Sequence, residues 1–315
     1  MKIIVLDRNS LGVDTPLDGL NRFGEVTVYD TTSADELDIR VADADILILN
    51  KVKITESTFA AAKSLKLICI FATGFDNVDV VAAKKYGVGV CNVPGYSTDS
   101  VALFTVANVL ALYTNLREYN DFVVTGEYSR SGIPNRLVPV YHEVKGKTWG
   151  IIGLGNIGRA VAKVAEAFGA KVIANKRTPV DDYECVDIDT LCRESDIITI
   201  HCPLNSESRG IINSERIALM KKDVVIVNEA RGAVVNEYDI AQAIKKGTIG
   251  AFGSDVYSTE PFGDDHPFYK IKENYNVLLT PHAAWGAYES RLRCINIICE
   301  NITAYINGER HNRVD

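Results

Sequence analysis

Features that would assign this sequence to a membrane, metal-binding or nucleic-acid-binding class are absent from it. No apolar run in its 315 residues is long enough to cross a bilayer. No Cys-x-x-Cys pair or cysteine–histidine cluster has the spacing of a zinc site. Positive charge is not in excess, because the formal net charge is −7, and this gives no attraction for nucleic acid or an anionic membrane. We therefore expect no metal site, no nucleic-acid partner and no membrane partner.

Disulfide and targeting signals are also missing. The seven cysteines are an odd number and form no dense framework, so we expect them to be reduced and mostly buried. The apolar run after Met1 is too short for the hydrophobic region of a signal peptide and is more typical of a first strand. These observations predict a cytoplasmic protein, and its length predicts two domains.

A glycine motif is the most informative feature that is present. Gly153, Gly155 and Gly158 have the spacing G-x-G-x-x-G and lie between an apolar run and a helical pattern. A strand that turns through glycines into a helix places backbone N–H groups at the helix N-terminus, where a pyrophosphate binds. The alternative is a tight turn without a ligand. The context favours a dinucleotide, NAD(H) or NADP(H), bound by Gly153, Gly155, Asn156, Ile157 and Gly158.

The acidic residue that usually binds the adenosine ribose is missing from this motif. Asn175 stands 22 residues after Gly153, where an Asp or Glu is expected, and Lys176 and Arg177 follow it. A carboxylate would repel a 2′-phosphate, whereas an amide beside two cations can accommodate one. We therefore predict that NADPH is favoured over NADH, with all three residues at the phosphate. Alternatively, the two cations are ordinary solvated loop residues.

Strand-like and helical stretches alternate along the chain, a pattern that predicts parallel sheets in two α/β halves. A long helix is predicted over 98–124, a loop over 126–147 and a last helix over 287–306. The predicted strands lie at 3–6, 26–29, 46–49, 67–71 and 88–93 in the first half, and at 147–152, 171–175, 196–202, 224–228, 250–255 and 277–279 in the second.

Polar residues follow three of the strands predicted for the second half. Arg231 follows strand 224–228, Glu260 follows strand 250–255, and His282 follows strand 277–279. Ligands of doubly wound sheets bind at the carboxyl ends of the strands, so we expect the three side chains at one crevice. Each residue alone has an ordinary alternative as a loop, cap or turn residue, and it is the coincidence of all three that favours a site.

An arginine, a glutamate and a histidine suit hydride transfer at a carbon that bears oxygen. Histidine is a natural general acid–base because its unperturbed pKa is about 6.5, and a neighbouring carboxylate stabilises its charged ring. Arginine can bind a substrate carboxylate through two parallel hydrogen bonds. We predict that His282 donates the proton, that Glu260 supports the imidazolium, and that Arg231 binds the carboxylate and polarises the carbonyl.

Motifs along nearly the whole chain resemble those of the D-isomer-specific 2-hydroxyacid dehydrogenases. Besides the glycine motif they are ATGFDNVD at 72–79, NVPGYS at 92–97, HCPL at 201–204, NEARG at 228–232, DVY with EP at 255–261, and PH at 281–282. The resemblance implies two Rossmann-like doubly wound domains with parallel sheets and a cleft between them. The substrate-binding domain would comprise 1–97 plus 287–315, and the dinucleotide-binding domain 98–286.

The same resemblance implies roles for single residues. Arg231, Glu260 and His282 match the catalytic residues of the family. Further matched positions are Thr73 and Gly74, whose loop amides hold the substrate carboxylate, Asp255 near the nicotinamide carboxamide, and Cys202 and Pro203 as cofactor contacts. Family members usually form homodimers through the long helix that follows Pro94-Gly95.

Within the family, the chain most resembles the glycerate dehydrogenase, or hydroxypyruvate reductase, branch. The features are Ala283-Ala284-Trp285 after the histidine and Asn50-Lys51 after the third strand. They imply Lys51 and Trp285 as substrate contacts, and a small 2-keto acid such as hydroxypyruvate or glyoxylate reduced to its D-2-hydroxy acid. Alternatively, Trp285 packs in the core and Lys51 is a surface charge. For the chain as a whole, the alternative is a dinucleotide-sensing binding protein like the family's corepressors.

Overall fold

The structure is a computed structural model that describes residues 1–315 and divides into two compact units. Unit 1 comprises Met1–Ser97 and Gly286–Asp315, and unit 2 comprises Thr98–Trp285. The chain therefore leaves unit 1 once, forms the whole of unit 2, and returns to add a last segment to unit 1. Each unit contains a parallel sheet with helices, which confirms the predicted α/β class.

Unit 1 contains a five-stranded parallel sheet. Its strands are β1 (Lys2–Val5), β2 (Glu25–Val28), β3 (Ile46–Leu49), β4 (Leu67–Ile70) and β5 (Gly89–Cys91), in the order β2-β1-β3-β4-β5. Its helices are α1 (Ala34–Val41), α2 (Glu56–Ala61), α3 (Val80–Lys85) and the last helix of the chain, α11 (Tyr288–Ile306), which packs on β4. Every residue of β3 and β4 is buried, because helices cover both faces of a parallel sheet.

Unit 2 contains a seven-stranded parallel sheet. Its strands are β6 (Thr148–Ile152), β7 (Lys171–Asn175), β8 (Glu184–Cys185), β9 (Ile197–Ile200), β10 (Val225–Asn228), β11 (Ala251–Ser254) and β12 (Val277–Leu279). Their order is β12-β11-β10-β9-β6-β7-β8. Its helices are α4 (Thr98–Tyr113), α5 (Leu116–Val124), α6 (Glu127–Ser131), α7 (Asn156–Ala167), α8 (Ile188–Glu194), α9 (Ser214–Ile217) and α10 (Glu237–Lys246).

The strands of unit 2 bury alternate residues in two hydrophobic clusters. Ile152, Ile198 and Ile226 pack with residues of α8 and α10 on one face of the sheet. Ile151 and Val227 pack with residues of α4 and α7 on the other face. Because successive side chains of a strand point to opposite faces, such strands are apolar throughout. This explains why the continuous apolar runs in the sequence predicted these strands to within a few residues.

The long helix predicted over 98–124 is wrong in one respect, because two helices occupy that range. Helix α4 ends at Tyr113, and α5 begins at Leu116 after a bend of 65°. Asn115 lies between them with a φ of 53°, in the left-handed region. Asparagine tolerates this region better than most residues and interrupts a helix there. The apolar periodicity continues through the break, so it could not reveal it.

Short elements of unit 2 were also missed. The loop predicted over 126–147 contains the five-residue helix α6, which stands between Gly126 and Gly132, both with positive φ. No periodic signal extends over so few residues. The two-residue strand β8 and helices α8, α9 and α10 complete the unit between the strands that the sequence predicts.

The pairing and burial of the cysteines, and the length and apolarity of the helices, are those expected from the composition. All seven cysteines are unpaired, five of them buried and two half-buried. No single helix is both long and apolar enough to cross a membrane. Helices α4 and α5 meet that test of length and composition only when they are taken together as a bent pair.

Candidate active site

The glycine motif joins β6 to α7 through a turn that requires glycine at two positions. Gly153 has a φ of 95°, and a Cβ atom there would lie 2.4 Å from the backbone nitrogen of Cys202. A Cβ atom on Gly158 would lie 2.4 Å from the carbonyl oxygen of Gly153. The turn is therefore pressed between the end of β9 and its own helix, with no room for side chains.

Gly155 faces open space instead. A Cβ atom on this residue would meet nothing within 4 Å. Gly155 is also the N-cap of α7, which has no side-chain cap and no acidic residue in its first turn. An uncapped helix N-terminus beside open space fits a bound pyrophosphate, because its N–H groups and the helix dipole favour an anion. These residues thus fit the phosphates of a dinucleotide.

Asn175, Lys176 and Arg177 follow one another at the carboxyl end of β7. The Nδ2 atom of Asn175 donates a hydrogen bond to the carbonyl oxygen of Val186 at 3.0 Å, so this amide is partly used within the protein. Lys176 is half-buried and Arg177 is exposed. The predicted preference for a 2′-phosphate therefore depends mainly on the two cations.

Arg231, Glu260 and His282 follow three neighbouring strands, β10, β11 and β12, at the same edge of the sheet. The side chain of Asn228 shapes the turn of Arg231, since its Nδ2 donates to the carbonyl oxygen of Arg231 at 3.0 Å. Gly232 packs directly on the next loop, because a Cβ atom there would lie 2.0 Å from the carbonyl carbon of Tyr257. This contact holds the arginine turn against the loop that carries Glu260.

His282 and Glu260 form a direct hydrogen bond. The distance from His282 Nδ1 to Glu260 Oε2 is 2.6 Å, and the backbone N–H of Tyr257 donates to Glu260 Oε1 at 2.9 Å. The two side chains are 26% and 30% exposed, so solvent or a substrate can reach them. With Nδ1 engaged by the carboxylate, Nε2 is the ring nitrogen that can exchange a proton with a substrate.

The turn that carries His282 is held by the buried carboxylate of Asp255. One oxygen accepts from Thr280 Oγ1 at 2.7 Å and from the N–H of Ala283 at 2.8 Å. The other oxygen accepts from the N–H of Ala284 at 2.8 Å. His282 has a φ of 54°, a conformation that needs such external support. Asp255 therefore orients the histidine turn in this structure, and its contact with a nicotinamide stays a prediction.

Two more contacts fix the same turn. The Oγ of Ser100 in α4 donates to the carbonyl oxygen of Ala284 at 2.6 Å. The hydroxyl of Tyr257 donates to the carbonyl oxygen of Thr280 at 2.8 Å. Burial raises the pKa of Tyr257, so this hydroxyl keeps its proton. Trp285, at the end of the turn, is half-buried.

In unit 1, Lys51 lies on a loop that a buried aspartate organises. Asp7 accepts hydrogen bonds from the N–H groups of Asn50, Lys51 and Val52, with the Lys51 bond at 2.6 Å. Burial raises the pKa of Asp7. The Nδ2 of Asn77 donates to the carbonyl oxygens of Asn50 and Val52. This loop is therefore joined to the one that contains Thr73 and Gly74.

Thr73 and Gly74 lie after β4. The hydroxyl of Thr73 donates to the carbonyl oxygen of Val93 at 2.8 Å, and Nδ2 of Asn92 donates to the carbonyl oxygen of Thr73. None of the hydrogen bonds in unit 1 uses the backbone N–H of Thr73 or Gly74. These amides are thus suited to the predicted role of binding an anion.

Glu229 is a buried group whose position the sequence did not predict. Its Oε1 accepts from Asn108 Nδ2 at 2.7 Å, while Oε2 is buried without a partner. Burial, and then the nearby charge of Asp255, raise the pKa of Glu229 to about 8. The carboxyl is therefore neutral at pH 7. The motif NEARG contains this residue, but nothing in the motif shows that α4 covers it.

His201 is a second buried group of this kind. Part of the residue reaches the surface, but both ring nitrogens are buried and have no partner. Burial lowers the pKa of His201 to about 3, so the ring is neutral. Register pairs Ile200 with Asn228, which places His201 beside Glu229 at the carboxyl ends of β9 and β10.

The sequence and fold match known proteins over the whole chain. A family model for the NAD-binding domain of D-isomer-specific 2-hydroxyacid dehydrogenases matches residues 106–284, more than half of the chain and all within unit 2. A hydroxypyruvate reductase of Blautia hydrogenotrophica is 37% identical over 326 positions, covering 100% of each chain. A glycerate dehydrogenase of Methylorubrum extorquens is 34% identical, covering 100% of this chain and 99% of that protein.

A solved structure supports the same conclusion. An acyclic imino acid reductase in complex with NADPH and D-Arg has a TM-score of 0.86 at 30% identity, with 100% of both chains covered. The chain therefore belongs to the D-isomer-specific 2-hydroxyacid dehydrogenase family, a family of oxidoreductases with an NAD-binding domain. This confirms the resemblance seen in the motifs. None of these matches supports the corepressor alternative.

The buried carboxyl of Glu229 makes a prediction for stability. Its pKa is about 8 in the folded chain against an ordinary 4.5, so its contribution to stability is complete below about pH 4.5 and is lost as the pH rises through about 8. Glu229→Gln keeps the neutral shape. We expect the Tm of Glu229→Gln, relative to that of the wild type, to rise between about pH 5 and pH 8 and then to stay constant. Each kcal/mol of stability corresponds to a Tm difference of roughly 2–4 °C.

Thermal unfolding from pH 4.5 to pH 9 measures this difference. The control is Glu194→Gln, which changes an exposed glutamate of α8 and should show no such trend. A Tm difference for Glu229→Gln that stays constant over this range would contradict the assignment of a neutral carboxyl.

Proposed function

We propose that this protein is an NAD(P)H-dependent reductase of small 2-keto acids, of the hydroxypyruvate reductase or glycerate dehydrogenase type. Its product would be the D-2-hydroxy acid. The observation that carries the proposal is the hydrogen bond between His282 and Glu260 beside the turn of Arg231, on neighbouring strand ends. The names of the two curated relatives support hydroxypyruvate as the substrate, and glyoxylate is the second substrate that the motifs suggest.

Each residue of the site has one chemical task in this proposal. Arg231 binds the substrate carboxylate and polarises the carbonyl through its planar guanidinium. His282 donates a proton from Nε2 to the oxygen that becomes the hydroxyl, and Glu260 stabilises the charged ring that this requires. Asp255 keeps the histidine turn in place. A bound reduced dinucleotide would supply the hydride.

The proposal includes four further substrate contacts. Thr73 and Gly74 would hold the substrate carboxylate through backbone N–H groups, which the unit itself does not use. Lys51 is exposed on a loop fixed by Asp7, and Trp285 follows the histidine turn. Their roles rest on the resemblance.

A homodimer and a cytoplasmic location are also predictions from the sequence. A candidate surface for the dimer lies in the region 98–147, where several large apolar side chains are more than half exposed. They include Leu103, Leu116, Val124, Leu137 and Val140. Exposed apolar patches are typical of protein interfaces, and a second copy of the chain is the occupant we propose.

Initial rates with a panel of 2-keto acids test the function directly. We expect turnover of hydroxypyruvate or glyoxylate with NADH or NADPH. Arg231→Lys keeps the charge but loses the fork, so kcat/KM should fall roughly a hundredfold or more, the equivalent of about 2.7–4 kcal/mol for one lost transition-state donor. Arg193→Lys, at an exposed position of α8, is the control. Absence of turnover with every 2-keto acid would refute the proposed function.

The His282–Glu260 pair predicts a pH dependence. Reduction needs the charged ring, so the rate should fall on the alkaline side. Glu260→Gln removes the negative charge and keeps the size, and the alkaline limb of kcat/KM for reduction should therefore move to lower pH. Oxidation should become active at lower pH for the same reason. His282→Ala should abolish most activity while cofactor binding persists. An alkaline limb that stays in place or moves upward would show that Glu260 does not stabilise the ring.

The cations after β7 predict the cofactor preference. Arg177→Ala or Lys176→Ala should lower kcat/KM for NADPH more than for NADH, because a 2′-phosphate would lose a charged partner. Asn175→Asp should act in the same direction by placing a carboxylate beside the phosphate. The ratio of the two kcat/KM values is the measurement, with Arg193→Ala as the control. If wild type prefers NADH and no variant changes the ratio, the phosphate pocket does not exist.

A further inference from the structure

A second carboxylate–histidine pair is buried in unit 2. Glu237, in the first turn of α10, lies with its Oε2 3.0 Å from Nε2 of His266, and both side chains are less than 10% exposed. The N–H of Phe268 donates to His266 Nδ1 at 3.2 Å. Since Nδ1 is thus an acceptor, the ring proton is assigned to Nε2, which donates to Glu237.

Glu237 also binds the chain just before Glu260. The backbone N–H of Ser258 donates to Glu237 Oε1 at 2.8 Å, and the hydroxyl of Ser258 donates to Glu237 Oε2. The carboxylate therefore accepts three hydrogen bonds from two segments. A buried carboxylate is strongly unfavourable without such donors, so the arrangement ties Ser258 and His266 to α10.

His266 also contacts the chain just after Glu260. Its ring stacks on Phe262 with centroids 4.7 Å apart and planes at 29°. Phe262 in turn packs edge-on against Tyr257 at 4.6 Å. Residues on both sides of Glu260 therefore contact the buried Glu237–His266 pair, and Glu260 lies in the loop between them.

We propose that Glu237 and His266 are positioning residues, which hold the carboxylate of Glu260 against His282. The connection is made by two consecutive residues, Tyr257 and Ser258. Ser258 is fixed by Glu237, and the N–H of Tyr257 donates to Glu260 at 2.9 Å. The inference rests on the proposed function in one respect, namely that the proton of the reaction passes through His282.

Glu237→Gln should weaken the support of Glu260. An amide has one acceptor oxygen and an NH₂ group, so in Glu237→Gln the NH₂ group must face a donor, either the N–H of Ser258 or Nε2–H of His266, and that hydrogen bond is lost. The loop from 257 to 262 should lose part of its support, and Glu260 should stabilise the charged ring of His282 less well. The effect should therefore be a weaker version of Glu260→Gln.

A titration followed by NMR tests this without substrate or cofactor. The ring signal of His282, assigned by its loss in His282→Ala, is followed against pH in each folded variant. We expect the titration midpoint to fall in Glu260→Gln, because the ring loses a negatively charged partner, and to fall by a smaller amount in Glu237→Gln. The double variant should match Glu260→Gln alone, because Glu237 acts through Glu260.

Controls separate positioning from general structural damage. Asp239→Asn changes another acid in the first turn of α10, which binds the N–H of Ser214, and it should leave the midpoint unchanged. Ser258→Ala removes one donor and serves if Glu237→Gln does not fold; its midpoint should also fall. Asp255 and Glu229 also interact electrostatically with Tyr257 of this loop, and no variant alters them.

The outcomes are distinct. An unmoved midpoint in Glu237→Gln and Ser258→Ala, with only a lower Tm, would make Glu237 a structural residue and overturn the proposal. A double variant that falls well below Glu260→Gln would also overturn it, because the two effects would then be independent. The expected shifts in a protein that reduces no 2-keto acid would refute the proposed function and leave this inference intact.

Discussion

The buried carboxylate of Asp255 is the group on which the geometry of the site depends. Its two oxygens accept one hydroxyl and two backbone N–H groups from the turn that contains His282. That turn places a histidine at a positive φ, which would be unfavourable without these bonds. The backbone of this turn therefore positions the histidine beside Glu260.

The same device occurs in unit 1. Asp7, just beyond the end of β1, gathers the N–H groups of the loop after β3. In both units an aspartate beyond a strand end organises the loop that follows a neighbouring strand. Parallel sheets leave such loops at one edge with unpaired N–H groups, and a buried carboxylate satisfies several of them at once. The functional loops of the two units are thus fixed by equivalent interactions.

Contacts between loops complete the site in unit 2. Gly232 packs the Arg231 turn against the Tyr257–Ser258 peptide. The N–H of Tyr257 donates to Glu260, and the N–H of Ser258 donates to Glu237. The backbone turns that carry Arg231, Glu260 and His282 are consequently supported by hydrogen bonds and packing contacts with one another. Such support holds the three residues in defined positions.

The sequence by itself determined the α/β class and most of the strands, and it indicated the candidate residues of the site. Buried parallel strands are apolar on both faces, so continuous apolar runs were sufficient to predict them. The glycines between β6 and α7 have a spacing that few other structures require, so it was sufficient to predict the turn. The tertiary structure alone decided what depends on distant neighbours. Asn115 breaks a helix whose apolar pattern continues, burial raises the pKa of Glu229, and Asp255 supports a histidine 27 residues later in the chain. No local pattern encodes these contacts, because burial and hydrogen-bond partners are set by residues far apart in sequence.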